Sequence, residues 1–229
     1  ADSYFAIQPY EQEILKDKSL NYRVLNLATN TFNDARTSYR LKSIGGYSAV
    51  KLRRYQDLID MHISKEMNPL MQTIMQTQGF MLPDTQEGKN FPVLNMLNMK
   101  YAVVPLQNGN QTPVQNPYAM GNCWFVDNII LVDTPDEECD LLDKIDLHTQ
   151  AVADKKFADA LDITKPEVTT MMSFDEETIE LTSYAPNCLE YTSRNERNKV
   201  AVFSEIYYPH DWHLYIIDEQ GNNGIEIPI

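Results

Sequence analysis

TFNDARTSYRLKSIGGYSAVKLRRYQDLIDMHI, residues Thr31–Ile63, is a basic stretch inside an acidic protein. Six residues between Arg36 and Arg54 are Lys or Arg, and none is Asp or Glu. The 229-residue chain has 19 basic and 33 acidic residues, so the remainder holds 13 basic and 33 acidic residues and a net charge of −20. Such a local positive field indicates either an anionic ligand or an acidic patch of the same fold.

A helix is predicted to open just after Gly45 and Gly46. From Ser48 onward, apolar residues recur at steps of three and four, as on one face of a helix: Leu52, Tyr55, Leu58, Ile59 and Ile63. Free N–H groups at such a helix start can hold a phosphate or carboxylate. A Gly-Gly before a helix is more often only a turn, and the sequence leaves both interpretations open.

Candidate ligand-binding side chains lie on both sides of the diglycine. The predicted anion donors are Lys42, Lys51 and Arg54, whose stems can pack while their charged heads reach a cleft. Tyr47 and Tyr55 are the predicted packing or stacking groups. Asp34 is a predicted acceptor for a sugar hydroxyl, with an Asx turn or a pair with Arg36 as the alternative. The whole predicted substrate site is Asp34, Lys42, Gly45, Gly46, Tyr47, Lys51, Arg54 and Tyr55.

Neither a catalytic set nor a cofactor or metal is predicted. The sequence contains no Walker loop, GxGxxG, CxxC or HExxH motif, and the acids are too numerous to single out a glycosidase pair. His210, Asp211 and His213 lack further metal ligands and are interpreted as a hairpin turn. Tyr207 and Tyr208 could stack on carbohydrate together with Trp212, but two of these three rings are expected in the core.

Composition excludes several classes of protein. A pI near 4.6 argues against general nucleic-acid binding, and a hydrophobic content of 43% argues against wholesale disorder. No apolar run approaches the roughly 20 residues that span a bilayer. Cys123, Cys139 and Cys188 are odd in number, and a Cys123–Cys188 bridge is one alternative that the sequence does not decide.

The predicted fold class is α+β, with a domain boundary at residue 160. Residues 1–160 alternate helices and strands, as in an α/β domain with a small mixed sheet, flanking helices and an exposed loop at Gln107–Pro117. Residues 161–229 are typical of an antiparallel β-sandwich-like domain. Its predicted strands lie at Glu167–Met172, Glu177–Tyr184, Cys188–Ser193, Lys199–Ile206, His213–Asp218 and Gly224–Ile229. We expect the last strand to be part of a longer chain, because it would otherwise leave an apolar edge exposed.

Six blocks, in order along the chain, resemble YfhO-type bacterial membrane proteins. They are YRVLNL (Tyr22–Leu27), TFNDARTSY (Thr31–Tyr39), KSIGGYSAVKLRRYQDLID (Lys42–Asp60), PVLNMLNMKYAVV (Pro92–Val104), NPYAMGNCWFV (Asn116–Val126) and VFSEIYYPHDW (Val202–Trp212). The chain departs from the family pattern at Leu41 and near Ser48, where histidine is expected. A role for imidazole at those positions is therefore not carried over.

The resemblance implies an extracytoplasmic region of a multi-spanning protein grouped with lipid-linked-sugar glycosyltransferases. Its membrane segments would then lie outside these residues and tether the region to the cytoplasmic membrane. Two functions follow as hypotheses. In the first, the basic stretch binds a lipid-linked sugar phosphate or an acceptor envelope glycan, and this region is inactive alone. In the second, the region is a non-catalytic glycan- or protein-binding scaffold, and its basic stretch pairs with internal acids.

Overall fold

The chain has the predicted α+β fold in a computed structural model that describes residues 5–159, 177–195, 199–208, 210–217 and 224–227. Its α-helices are α1 (Pro9–Ile14), α2 (Arg36–Arg40), α3 (Arg53–Leu58), α4 (Ser64–Thr77), α5 (Gln86–Lys89), α6 (Pro92–Met96) and α7 (Pro135–Leu141). A π-helix, Ile59–Ile63, joins α3 to α4, and a short 3-10 helix covers Lys155–Phe157. The strands are β1 (Arg23–Asn26), β2 (Met99–Pro105), β3 (Gln111–Gln115), β4 (Cys123–Val126), β5 (Asn128–Val132), β6 (Gln150–Asp154), β7 (Thr178–Ala185), β8 (Cys188–Arg194), β9 (Val200–Phe203), β10 (Leu214–Ile216) and β11 (Ile225–Ile227).

The central sheet is small and mixed, with strand order β1-β2-β3. β1 pairs in parallel with β2, and β2 pairs with β3 in antiparallel register. Successive side chains of a strand point to opposite faces, so Val24 and Leu25 enter two different cores. Val24 packs with Tyr10 and Ile14 of α1, whereas Leu25 belongs to the larger core under α4 and α6.

One nearly continuous helical run from Arg53 to Thr77 covers the larger core. Ile59 and Ile63, two residues of the predicted apolar face, are fully or almost fully buried there, and so is Leu70 of α4. The widened turn at Ile59–Ile63 keeps His62 buried beside Ile63. None of the described helices has the length and apolar character needed to cross a bilayer.

The strands of the C-terminal part pair in antiparallel fashion. β7 pairs with β8, β10 pairs with β11, and β9 pairs with β4. The β4–β9 pair joins the two parts of the chain, and Arg23 strengthens that connection with an ion pair to Glu205 at 2.6 Å. The boundary predicted at residue 160 and the strand predicted at Glu167–Met172 lie outside the described residues, so both stay predictions.

Two local predictions are wrong. The helix predicted to open after the diglycine begins only at Arg53, because the Ser48 hydroxyl accepts the N–H of Val50 in a turn and the Val50 side chain is 88% exposed. The loop predicted at Gln107–Pro117 contains β3. Pro113 is tolerated there because β3 lies at the edge of its sheet.

Candidate functional site

The diglycine forms a turn packed against Thr31. A side chain on Gly45 would place its Cβ 2.1 Å from the Thr31 carbonyl oxygen, and Gly46 has a φ of +126°. The Gly45 N–H donates to the Ser43 hydroxyl at 3.2 Å, and the Gly46 N–H donates to the Thr31 carbonyl at 2.7 Å. Neither N–H is therefore available to an anion in this conformation, and the predicted anion site at a helix start is replaced by a structural turn.

Asp34 forms both contacts that the sequence offered as alternatives to ligand binding. Its carboxylate accepts the Arg36 backbone N–H at 2.8 Å and the Arg36 Nε–H at 2.8 and 3.0 Å, and a further ion pair joins the two side chains. The hydrogen bond from the Arg36 side chain lowers the pKa of Asp34. This carboxylate is therefore ionised and already engaged with a neighbouring cation.

Lys42 connects the central sheet to β7. Its Nζ donates to the Leu20 carbonyl at 2.7 Å and lies 4.0 Å from the centre of the Tyr184 ring. Burial lowers the pKa of Lys42, and the charge of Arg23 lowers it further. Lys42 thus acts as a packing cation at the junction of the two parts of the chain.

Tyr55 belongs to the larger core. Its hydroxyl donates a short hydrogen bond to the Ile44 carbonyl, and burial raises its pKa to about 12. Tyr55 therefore ties α3 to the segment that precedes the diglycine, and its ring is not an open stacking surface.

The remaining three predicted residues lie on an exposed segment, residues 47–54, which we call the basic loop. Tyr47 is 64% exposed, and Arg54 is exposed in the first turn of α3. Lys51 Nζ lies 5.4 Å from the centre of the Phe32 ring. Among the described residues, no carboxylate lies within ion-pair distance of Lys51 or Arg54. Arg53 differs, because it pairs with Asp57 at 3.0 Å.

The basic loop meets an aromatic turn from the other end of the chain. We define the aromatic turn as residues 206–208 and 210–212, in which the Tyr208 carbonyl accepts the N–H groups of Asp211 and Trp212. The Arg54 guanidinium carbon lies 5.1 Å from the centre of the Tyr207 ring. The Tyr207 ring in turn meets Phe157 edge to face at 6.1 Å. The contact between Arg54 and Tyr207 brings together the basic stretch and an aromatic cluster that lie far apart in the sequence.

Phe157 and Lys156 were not predicted to belong to the site. Lys156 Nζ lies 4.8 Å from the centre of the Phe157 ring and 2.7 Å from an Asp154 oxygen, so its charge is partly balanced. The only sequence signal for these two residues is that a cation and an aromatic residue are adjacent. Such pairs are too common to predict a binding site.

An open groove of about 410 Å³ between β4 and β7 is a second candidate for a ligand-binding site. Its lining carries three carboxylates and one lysine: Asp127, Glu177, Glu180 and Lys199. Lys199 donates to Asp127 at 2.7 Å and to Glu177 at 2.9 Å, which leaves the groove acidic. Burial raises the pKa of the Cys123 thiol in the same groove to about 12, so it is not a thiolate nucleophile. The net negative charge of the lining therefore disfavours binding of a phosphate in this groove.

Metal-ligating side chains do not assemble in the described part of the chain, where no group of three or more His, Cys, Asp or Glu could hold an ion. His213 instead lies 2.8 Å from a Glu226 oxygen, across the β10–β11 pair. The basic loop and the aromatic turn therefore offer exposed cations and rings, a combination suited to binding an anionic ligand with an apolar face.

No family model matches the chain, and neither a curated protein nor a solved structure matches it.

Proposed function

We propose that the basic loop and the aromatic turn bind a sugar phosphate in an extracytoplasmic region of a YfhO-type membrane protein. The physiological ligand in this proposal is a lipid-linked sugar or an acceptor envelope glycan. The observation that carries the proposal is the contact of the exposed Arg54 side chain with the half-buried Tyr207 ring. The resemblance of the six sequence blocks supports the choice of ligand.

A guanidinium next to a tyrosine ring suits the two ends of a sugar phosphate. A guanidinium that stacks on a ring keeps its N–H groups in its own plane, where they can donate two parallel hydrogen bonds to phosphate oxygens. Tyrosine rings pack against the apolar face of a sugar while their hydroxyl groups remain hydrated. Arg54 would therefore hold the phosphate, and Tyr47 or Tyr207 would contact the sugar.

Lys51 supplies a second cation for the same ligand. It lies three positions before Arg54, so their Cα atoms lie within about 11 Å of each other. Its position over the Phe32 ring leaves its charge without a carboxylate partner in the described part of the chain. Two such cations match the two negative charges of a phosphate monoester.

The second hypothesis, a non-catalytic scaffold, receives support from the other predicted residues. Five of the eight make internal contacts that hold the fold: Asp34, Lys42, Gly45, Gly46 and Tyr55. We therefore propose that this region binds its ligand and that any transfer chemistry depends on residues elsewhere in a longer protein.

Calorimetric titration with glucose 1-phosphate, glucose and inorganic phosphate tests the proposal. We expect glucose 1-phosphate to bind more tightly than glucose or phosphate. Arg54→Ala should weaken binding about 10- to 100-fold, as expected for the loss of a charge-assisted hydrogen bond. Arg53→Ala is the matched control, since Arg53 is the adjacent arginine and its charge is paired with Asp57. Equal affinities for the two variants, or no binding by the wild type, would contradict the proposal.

A further inference from the structure

The tip of the basic loop exposes apolar side chains that the sugar-phosphate proposal does not use. Val50 is 88% exposed and Leu52 is 37% exposed, and both lie beside Lys51. Ala49 and Val50 form an exposed turn, and α3 begins only at Arg53. Neither side chain belongs to a core, so the Val50 side chain and the exposed part of the Leu52 side chain contribute little to the stability of the fold.

Cations follow this apolar tip along the chain. Lys51, Arg53 and Arg54 lie within five residues of Val50, and the nearest acidic residue along the chain is Asp57. The Arg53 side chain is 90% exposed. An exposed apolar tip with basic neighbours has the composition of segments that enter the headgroup region of a membrane with anionic lipids.

We propose that the tip of the basic loop, Val50 and Leu52, inserts into the surface of an anionic lipid bilayer while Lys51 and the neighbouring arginines contact the lipid phosphates. This inference goes beyond the proposed function, since it rests on the apolar side chains and not on the contact between Arg54 and Tyr207. It assigns to the loop a second partner, the lipid surface itself.

The charge of the whole chain does not oppose this contact as strongly as its net value of −14 implies. Charges in water interact over a Debye length of about 8 Å at physiological salt. An exposed loop that contacts the membrane therefore brings its own cations within range of the headgroups, while acids farther from the tip are screened. The inferred contact is therefore local to the basic loop and does not require a basic surface elsewhere on the protein.

A protein partner fits the same tip less well. Stable protein interfaces bury about 800 Å² on each side, which requires twenty or more residues. The apolar tip consists of two large side chains on a six-residue segment, residues 47–52. Shallow insertion among lipid headgroups requires only such a small apolar area when basic residues add electrostatic attraction.

Co-sedimentation of the 229-residue chain with lipid vesicles tests the inference. We expect binding to phosphatidylcholine vesicles that contain phosphatidylglycerol, weaker binding at high salt, and little binding to pure phosphatidylcholine. The double variant Val50→Ser, Leu52→Ser should bind the anionic vesicles about tenfold more weakly, because it removes the inserted apolar area. It should bind glucose 1-phosphate like the wild type, which separates this inference from the proposed function.

Phe80→Ser is the matched control. Phe80 is 80% exposed and lies beyond the other end of the helical run Arg53–Thr77, roughly 35 Å from the loop at 1.5 Å per residue. This variant should keep full vesicle binding. The inference is overturned if the wild type ignores anionic vesicles, if the double variant binds them as well as the wild type, or if Phe80→Ser loses as much binding as the double variant.

Discussion

The Arg54 guanidinium carbon lies 5.1 Å from the centre of the Tyr207 ring, and this contact joins the basic loop to the C-terminal strands. Tyr207 follows β9 closely, and β9 is held by its antiparallel pairing with β4. Arg54 is placed by α3, which packs on the larger core through Tyr55 and Leu58. The candidate site therefore exists only when both parts of the chain are folded against each other.

The aromatic ring of Tyr207 should matter for affinity more than its hydroxyl group. We expect Tyr207→Phe to bind glucose 1-phosphate within about threefold of the wild type, and Tyr207→Leu to bind it about tenfold more weakly, because only leucine removes the ring face. Titration calorimetry of both variants measures the difference. If the phenylalanine variant is as weak as the leucine variant, the ring is not the contact surface.

Gly45→Ala should destabilise the protein strongly. The added Cβ would lie 2.1 Å from the Thr31 carbonyl oxygen, so the turn must move and part of its hydrogen bonding is lost. We expect the free energy of unfolding to fall by about 3 kcal/mol or more in urea denaturation. Gly109→Ala is the control: its φ of +81° costs about 1–2 kcal/mol, but apart from its chain neighbours no atom of the described residues lies within 4 Å of the added Cβ. Equal losses of unfolding free energy in the two variants would show that the turn at Gly45 accommodates the added methyl group.

Asp17 should stabilise the protein at neutral pH and lose that effect in acid. Burial opposes its ionisation, but hydrogen bonds from Lys100 Nζ (2.6 Å), the Ser19 N–H (2.9 Å) and the Tyr101 hydroxyl (2.9 Å) lower its pKa overall. A folded-state pKa below the unfolded value of 3.8 gives stability that is present above about pH 4 and lost as the pH falls further.

Asp17→Asn should therefore lower the free energy of unfolding by about 1–3 kcal/mol at pH 7, and the difference from the wild type should shrink below pH 4. Thermal unfolding across a pH series measures both quantities. Glu13→Gln removes an exposed ion pair with Lys16 and should have no measurable effect. A constant difference between Asp17→Asn and the wild type at all pH values would contradict this assignment.

Glu66 should have the opposite pH dependence. Its two carboxylate oxygens accept the N–H groups of Val93 and Leu94, each at 3.0 Å, at the start of α6. Burial nevertheless raises its pKa to about 7, with a further contribution from Asp143, against an ordinary value of 4.5. The folded state then binds the proton more tightly than the unfolded state, so stability falls as the pH rises from about 4.5 to 7.

Replacing Glu66 with Gln should remove this component of the pH dependence. The wild type loses up to about 3 kcal/mol between these pH values through this group, at 1.36 kcal/mol per pKa unit. The Gln variant keeps an oxygen acceptor for one N–H and should show a flatter curve of unfolding free energy against pH. Parallel curves for the two proteins would mean that Glu66 ionises normally in the folded state.

Local patterns predicted the fold class and much of the secondary structure. The predicted alternation of helices and strands in residues 1–160 is present, and the apolar spacing from Tyr55 to Ile63 identified the helical face that is buried in the larger core. These signals are strong because each comes from residues close in sequence. The start of the same helix was misplaced, since a turn held by Ser48 and the lack of any surface for Val50 to pack against outweighed the apolar period.

The candidate site could be predicted only in part, because its contacts are long-range. Composition identified Lys51 and Arg54 as cations in the acid-free stretch from Arg36 to Arg54, and their partners are the rings of Phe32 and Tyr207. Nothing in the sequence pairs Arg54 with a ring that follows β9, since that contact depends on the β4–β9 register. Likewise, the sequence predicted Lys42 as a ligand-binding cation. The fold instead places the Leu20 carbonyl within hydrogen-bond distance of its Nζ, and no local pattern predicts that contact.

The most direct measurement is a titration of the isotope-labelled protein with glucose 1-phosphate, followed through its backbone amide resonances by NMR. Coupled, saturable shifts in residues 51–54 and 206–208, with little change around Ile179 and Glu180 in the acidic groove, are the expected result. Shifts confined to that groove, or no saturable shift in either the basic loop or the aromatic turn, would show that the contact of Arg54 with Tyr207 is only structural.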